Sequence, residues 1–265
     1  MSIEIRISHS FPPNYSKNDQ YLAQVHSVFE KFKLQIDPKD IIFRPIQTSE
    51  EIEELKLLHK EWFPVEYPDR FFTNVSNNKL VKSIAAIYNF VYDDEVYPLI
   101  LGCLTYEYRF LDHDLARFSF SDLCGDSYGI YILTFGVINE VRSQGLGTIL
   151  LNKVFDLAKS DITIKYVYLD VVAYNNPGVR CYEKNGFIKL FSKKKHYNLF
   201  GERYDALVYC WYINGGKKPR GIKELFTSCV TCCGIPSKVF GGLKNKLSDI
   251  MKNQKGYTKF KASKV

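Results

Sequence analysis

Apolar positions along the chain recur at two periods, near 2 and near 3.6, and their alternation predicts strands with helices set between them. Ile41 to Pro45 reads as a first strand, and Thr48-Ser49-Glu50-Glu51 fits a capping box opening a helix whose Ile52, Leu55, Leu58 and Trp62 share one face. Ser83 to Tyr92 and Tyr97 to Tyr108 are strand-like, with a hairpin turn at Asp93-Asp94-Glu95. Arg109 to Ser127, polar and rich in Phe, reads as a loop. Tyr131 to Ile138 is an apolar run suited to a buried strand. After it Leu146, Ile149, Leu150, Val154 and Leu157 fall three and four apart, the stripe of an amphipathic helix starting at Gly145. Lys165 to Val172 is another strand, Pro177 to Asn185 a short helix with proline in its first turn, and Tyr204 to Ile213 a closing strand. Strands on both sides of the central helix place the domain in the α/β class, and no internal repeat appears.

The junction Arg142-Ser143-Gln144-Gly145-Leu146-Gly147 joins an apolar strand to a helix start. A helix N-terminus leaves backbone N–H groups without intrahelical partners and carries partial positive charge, so a pyrophosphate supplies the missing acceptors. Gly145 and Gly147 let the backbone come close to those oxygens, and Arg142 adds a cation at the rim. A dinucleotide fold would need three glycines in the order G-x-G-x-x-G, and a nucleoside triphosphatase would need Gly-Lys-Ser or Gly-Lys-Thr. Neither is present.

The same segment resembles motif A of the GNAT acetyltransferases, Arg/Gln-x-x-Gly-x-Gly/Ala, which in that superfamily holds the pyrophosphate of acetyl-coenzyme A. The resemblance extends to Glu61-Trp62-Phe63-Pro64-Val65-Glu66-Tyr67-Pro68 upstream and to Asn175-Asn176, Tyr182-Glu183 and Tyr209 to Gly216 downstream. Taken together these segments, from Ile42 to Gly216, resemble the Golgi-type N-alpha-acetyltransferases called NatF. That likeness implies a GNAT fold: a mixed, mostly antiparallel sheet with one splayed pair of parallel strands, flanked by helices. It implies acetyl-CoA as co-substrate, no metal, and protein N-termini that retain initiator Met as acceptors, followed by an apolar residue or Lys. Histone lysines are a secondary acceptor in the family. Two other classes of answer stay open, a membrane-bound acetyl-CoA-binding module with weakened catalysis and a small-molecule amine acetyltransferase.

Residue by residue, the resemblance places Tyr131 at the catalytic tyrosine and Asp170 where relatives usually carry a histidine. The two would hold a water that takes the amine's proton. A carboxylate is a weak base near neutrality, so Asp170 is the main departure from the family pattern. For the cofactor it implies Phe135, Gly136 and Val137 on the strand, Arg142, Ser143, Gln144, Gly145, Leu146 and Gly147 at the turn, and Asn175, Tyr182, Glu183, Lys184 and Asn185 beyond. Tyr182 would lie near the sulfur and protonate the departing thiolate. For the peptide it implies Phe63, Pro64, Val65, Glu66 and Tyr67 as one wall, Leu133, and Tyr197 on a closing hairpin. His196 stands where relatives have a first tyrosine and is given no role.

Composition adds an attachment device. A chain of 265 residues, 46% hydrophobic and 15% aromatic, has ample material for a core. Of the net charge of +7, residues 217–265 carry +10, twelve Lys or Arg against Glu224 and Asp249, which leaves −3 on residues 1–216. An acidic catalytic region argues against a nucleic-acid-binding core. In the tail Ile222, Leu225, Phe226, Cys229, Val230 and Cys233 repeat at three and four. Gly234-Ile235-Pro236 interrupts, and Val239, Phe240, Leu243, Leu247, Ile250 and Met251 resume. Two basic amphipathic helices of this kind lie in a membrane interface or pack on the domain's own surface. The odd count of seven cysteines and the lack of an apolar leader favour reduced thiols over a disulfide framework. The organisation expected is an extension at 1–40, the acetyltransferase domain at 41–216, and a membrane-associating tail at 217–265, with peripheral attachment to the cytoplasmic face of the Golgi or a related endomembrane.

Overall fold

A computed structural model describes residues 36–92, 95–110 and 128–216. The expected tail helices, most of the N-terminal extension and most of the Phe-rich loop lie outside the described residues. Of the extension, Pro38–Asp40 form a 3-10 turn and Ile36 packs against the core.

Seven strands form one sheet: β1 (Ile41–Arg44), β2 (Lys82–Tyr92), β3 (Glu95–Phe110), β4 (Tyr128–Val137), β5 (Ile164–Val172), β6 (Ile188–Leu199) and β7 (Glu202–Tyr212), in the order β1-β2-β3-β4-β5-β7-β6. All neighbours run antiparallel except β4 and β5, whose connection is a helix, as a parallel crossover requires. The helices are α1 (Ser49–Trp62), α2 (Asp69–Asn77), α3 (Leu146–Ser160) and α4 (Asn176–Lys184).

The cap of α1 forms much as the sequence predicts. Thr48 Oγ1 accepts the Glu51 N–H at 3.2 Å, while the Glu51 carboxylate takes the Gln47 N–H at 2.8 Å and pairs with Arg44. Burial works to raise the Glu51 carboxyl, but Arg44 and the backbone N–H groups outweigh it and hold it below its ordinary range. Ile52, Leu55 and Leu58 are buried as expected.

Three positions differ from the sequence reading. The buried stripe of α3 is Leu146, Leu150, Leu151, Val154, Phe155 and Ala158, whereas Ile149 and Leu157 sit at its margins. Phe155 on this stripe stacks on Trp211, with centroids 4.1 Å apart. β3 continues through Arg109 and Phe110, and β4 begins at Tyr128, because these ends pair with each other, Arg109 opposite Gly129 and Phe110 opposite Tyr128. Finally α2 and β6 are elements that the periodicity did not announce.

One irregularity of the sheet shapes the cleft beside it. In the β3–β4 ladder Thr105 faces Thr134 but Tyr106 faces Ile132, so Leu133 is an extra residue on β4. A bulge of this kind bends its strand and breaks its pairing. Immediately beyond, β4 and β5 part: their last paired residues are Ile132 and Leu169, although β4 runs on to Val137 and β5 to Val172. Backbone groups on the facing edges of residues 133–137 and 170–172 are thereby left without ladder partners from the other strand.

Candidate active site

That parting opens a cleft of about 630 Å³. One wall is the diverging part of β4, from Ile132 to Val137, and another is Leu169 to Val172 of β5. The turn before α3 closes one end, the start of α4 a second, and the Phe63–Tyr67 loop with Tyr197 a third.

At the turn, Ser143 has φ 64° and Gly145 has φ 90°, two left-handed residues that swing the chain into α3. Gly145 is the N-cap, and no side chain caps the helix, so the first-turn N–H groups lack a side-chain acceptor. Arg142 is tethered by its Nε to the Val137 carbonyl at 2.9 Å, which fixes the guanidinium at the rim. Arg142, Ser143, Gly145, Gly147 and Thr148 line this end, and Arg180 and Lys184 of α4 add cations at the mouth. Unpaired N–H groups and three cations suit a phosphorylated ligand.

Gly136 has a different task. A Cβ there would lie 2.1 Å from Trp62 Cε3, so only glycine lets the α1 indole lie across β4. Trp62 lines the cleft, and its Nε1 is a buried donor with no partner among the described residues. Asn175 caps α4 by accepting the Gly178 N–H at 3.0 Å, and Asn185 Nδ2 donates to the Cys181 carbonyl at 2.8 Å. Both also line the cleft, as does Tyr182, whose phenol is pushed up by burial and stays protonated.

The loop side is anchored from beneath. His59, 2% exposed, is ringed by Trp62, Phe63, Tyr67, Phe71 and Phe72. Its Nδ1 must donate to the Leu55 carbonyl at 2.9 Å, so Nε2 accepts from Thr134 Oγ1 at 3.2 Å, and Thr134 accepts from Thr105 at 2.6 Å. Burial pulls the imidazole down to about 4. Phe63, Pro64, Val65 and Tyr67 face the cleft, and burial pushes the Tyr67 phenol up to about 12.

Asp170 is the charged centre. Its side chain is 5% exposed, and Oδ2 meets Lys193 Nζ at 2.8 Å, the Tyr131 hydroxyl at 3.4 Å and His196 Nε2 at 3.8 Å. Its Oδ1 is buried and has no partner among the described residues. The Tyr197 hydroxyl donates to the Asp170 carbonyl at 3.3 Å. Tyr131 lies on Tyr168, centroids 4.8 Å apart, under the Arg109 guanidinium at 4.0 Å. Burial first, and the Asp170 charge second, raise its phenol, so it donates to the carboxylate and is no base.

Of the residues singled out from the sequence, Phe63, Pro64, Val65, Tyr67, Leu133, Phe135, Gly136, Val137, Arg142, Ser143, Gly145, Gly147, Asp170, Asn175, Tyr182, Lys184, Asn185 and Tyr197 share this one cleft. Five lie off its lining. Glu66 is exposed, Leu146 is core, Gln144 Nε2 donates to the Glu140 carbonyl, Glu183 accepts the Tyr209 hydroxyl at 2.7 Å, and Tyr131 reaches the site through Asp170. The sequence reading missed Trp62, Thr134, Thr148, Arg180 and Lys193 as site residues. Arg180, one helical turn before Lys184 on α4, was the most accessible of these signals.

The acetyltransferase (GNAT) family profile matches residues 52–187, slightly more than half of the chain. N-alpha-acetyltransferase 60 of Xenopus tropicalis is 34% identical over 199 residues, 72% of this chain and 80% of the relative. Histone acetyltransferase MCC1 of Arabidopsis thaliana is 30% identical, over 68% of this chain and 72% of the relative. The crystal structure of Arabidopsis thaliana NAA60 in complex with acetyl-CoA superimposes with a TM-score of 0.60 at 29% identity, covering 66% of this chain and 99% of that one. With its splayed parallel pair, its bulge at Leu133 and its amide-rich turn before α3, this chain belongs to the GNAT acetyltransferase family.

Proposed function

We propose that the protein is an N-alpha-acetyltransferase that moves the acetyl group of acetyl-CoA to the α-amine of proteins retaining initiator Met, with an apolar residue or Lys next. The observation that carries this reading is the gap where β4 and β5 stop pairing after Ile132 and Leu169, flanked at one end by uncapped helix amides and at the other by the Phe63–Tyr67 loop. Acetyl-CoA supplies the activated thioester. The chain's residues bind and orient: the turn and Arg142, Arg180 and Lys184 take the phosphates, and the free edge of residues 133–137 aligns the carbonyl.

In the transfer the amine nitrogen bonds to the carbonyl carbon as the carbon–sulfur bond breaks. The amine's proton leaves through a water at Asp170 and Tyr131. With its raised phenol, Tyr182 steadies the departing thiolate as a hydrogen-bond donor; full proton transfer to a more acidic thiol would run uphill. An α-amine, with a pKa of about 7.7–8.0, is already partly neutral at physiological pH, whereas lysine near 10.4 is not, so termini demand least of the site. Histone lysine acetylation is a secondary activity of the same site, for which the similarity to MCC1 speaks.

The basic tail 217–265 holds the enzyme peripherally at the cytoplasmic face of the Golgi or a related endomembrane, where its targets include membrane proteins. The support is its charge of +10 with apolar residues at helical spacing. Among the described residues no helix is long and apolar enough to cross a membrane. Removal of residues 217–265 should release the protein from vesicles.

A second reading, an acetyl-CoA-binding module with weakened catalysis, draws on Asp170 standing where relatives usually have histidine. One assay decides, using purified protein, labelled acetyl-CoA, peptides beginning Met-Leu or Met-Lys, and N-terminally blocked peptides containing lysine. Label on free termini supports the proposal, label on blocked peptides alone supports lysine transfer, and binding without label supports the module.

A further inference from the structure

A carboxylate beside an acceptor amine has a drawback. It stabilises the ammonium form, which has no lone pair with which to attack. Asp170 would impose this on any amine brought to its unpartnered Oδ1, and Lys193 supplies the compensation.

Lys193 lies on β6, two strands from Asp170, with β7 between them. In register it faces Ala206, which is fully buried, while Asp170 faces Val208. Between Lys193 and Tyr197 the β6 ladder is irregular. Lys194, Lys195 and His196 bulge opposite Asp205, with Lys195 at φ 52° and its N–H on Asp205 Oδ1 at 2.9 Å. This bulge lets two residues of one strand, Lys193 and Tyr197, both reach Asp170, the first at its carboxylate and the second at its carbonyl. Lys193 is 20% exposed and Asp170 5%, so the pair is shielded from the solvent that weakens surface ion pairs. Lys194, by contrast, is 81% exposed and bound to Asp205.

We propose that Lys193 is a positioning residue for acetyl transfer: by neutralising Asp170 through Oδ2 it leaves Oδ1 as a hydrogen-bond acceptor for the amine without holding that amine as an ammonium ion. The inference rests on the functional reading above. No proton is taken up by Lys193; the amine's proton leaves by water as before. Among the described residues, the other charged or titratable groups facing Asp170 are Tyr131 from β4 and His196 and Tyr197 from β6. Behind Tyr131 stand Tyr168 and Arg109, the latter paired with Glu107.

The test is the pH dependence of kcat at saturating Met-Leu peptide in the full-length wild type, Lys193→Met, Lys193→Arg, and Lys193→Met combined with Asp170→Asn. Lys194→Met serves as a surface control, and His196→Gln repeats the comparison without the imidazole. Lys193→Met should move the acid limb up by roughly one pH unit, a loss of nearly tenfold at pH 7 that shrinks to below about twofold by pH 9. KM should fall together with kcat, because the ammonium form binds Asp170 unproductively, so kcat/KM, which reports the free amine, keeps its wild-type limb. Lys193→Arg should restore the wild-type limb, and so should the double variant, in which no carboxylate remains to trap the ammonium. A uniform loss at every pH, an unmoved limb, or a limb that stays high in the double variant would overturn the role of Lys193 while leaving a wild type active on free termini. A wild type inactive on free termini would overturn the functional reading and this inference together.

Discussion

Acid should destabilise this fold between pH 6.5 and 4, and His59 should be the main cause. Its environment disfavours a second proton chiefly through burial: five aromatic rings enclose the imidazole, Nδ1 donates to Leu55 and Nε2 accepts from Thr134. The folded imidazole titrates at about 4 against 6.5 in the unfolded chain. Because the folded value is the lower, the unfolded state binds the proton first, and stability falls as pH drops from 6.5 and levels off below 4. At pH 5 the linkage amounts to about 2 kcal/mol, and its limit is about 3 kcal/mol. For a domain of this size that is roughly 4–8 °C in Tm. Glu51, held low by Arg44, acts in a separate window, since its contribution is lost only below the ordinary glutamate range. Urea denaturation at pH 7 and pH 5 should be run on wild type and His59→Leu. The substitution forfeits two hydrogen bonds, a cost equal at both pH values, so it cancels in the comparison. Wild type should lose about 2 kcal/mol more than His59→Leu between the two pH values. Equal losses in the two proteins would refute the argument.

Two further outcomes follow from the cleft. Gly136→Ala would bring a methyl within 2.1 Å of the Trp62 ring; displacement of the indole should cost about 1–3 kcal/mol in a denaturant titration and weaken acetyl-CoA binding measured by calorimetry. Asp170→Asn should keep the wild-type melting profile to within a few degrees while lowering kcat by roughly tenfold to a hundredfold, read by single-turnover transfer to a Met-Leu peptide.

Elements with a strong period were legible in the chain. The stripe of α1 follows from spacing, because it buries one regular set of side chains, and the strand that became β5 follows from its run of β-branched and aromatic residues, which is buried on both faces. The helix α2 did not, since its nine residues carry only Phe71, Phe72 and Val75 as an apolar signal and follow directly on a proline-bounded loop. Strand β6 is an edge, mostly exposed and rich in lysine, so it lacks the alternation of a half-buried strand. The turn from Arg142 to Gly147 could be recognised because backbone chemistry fixes its residue types. The Asp170–Lys193 pair could not be, for it spans an intervening strand and depends on a bulge with no residue signature of its own. The bulge at Leu133 is equally silent, since an extra residue in one strand is defined only by its partner.

The central claim is that the gap between β4 and β5 receives the thioester and the turn before α3 receives the diphosphate. A crystal structure with acetyl-CoA tests it most directly. The account predicts diphosphate oxygens on the amides of residues 145–148 and the acetyl carbonyl between Leu133–Phe135 and Asp170. Acetyl-CoA bound elsewhere, or a gap filled by side chains while the ligand is present, would contradict it.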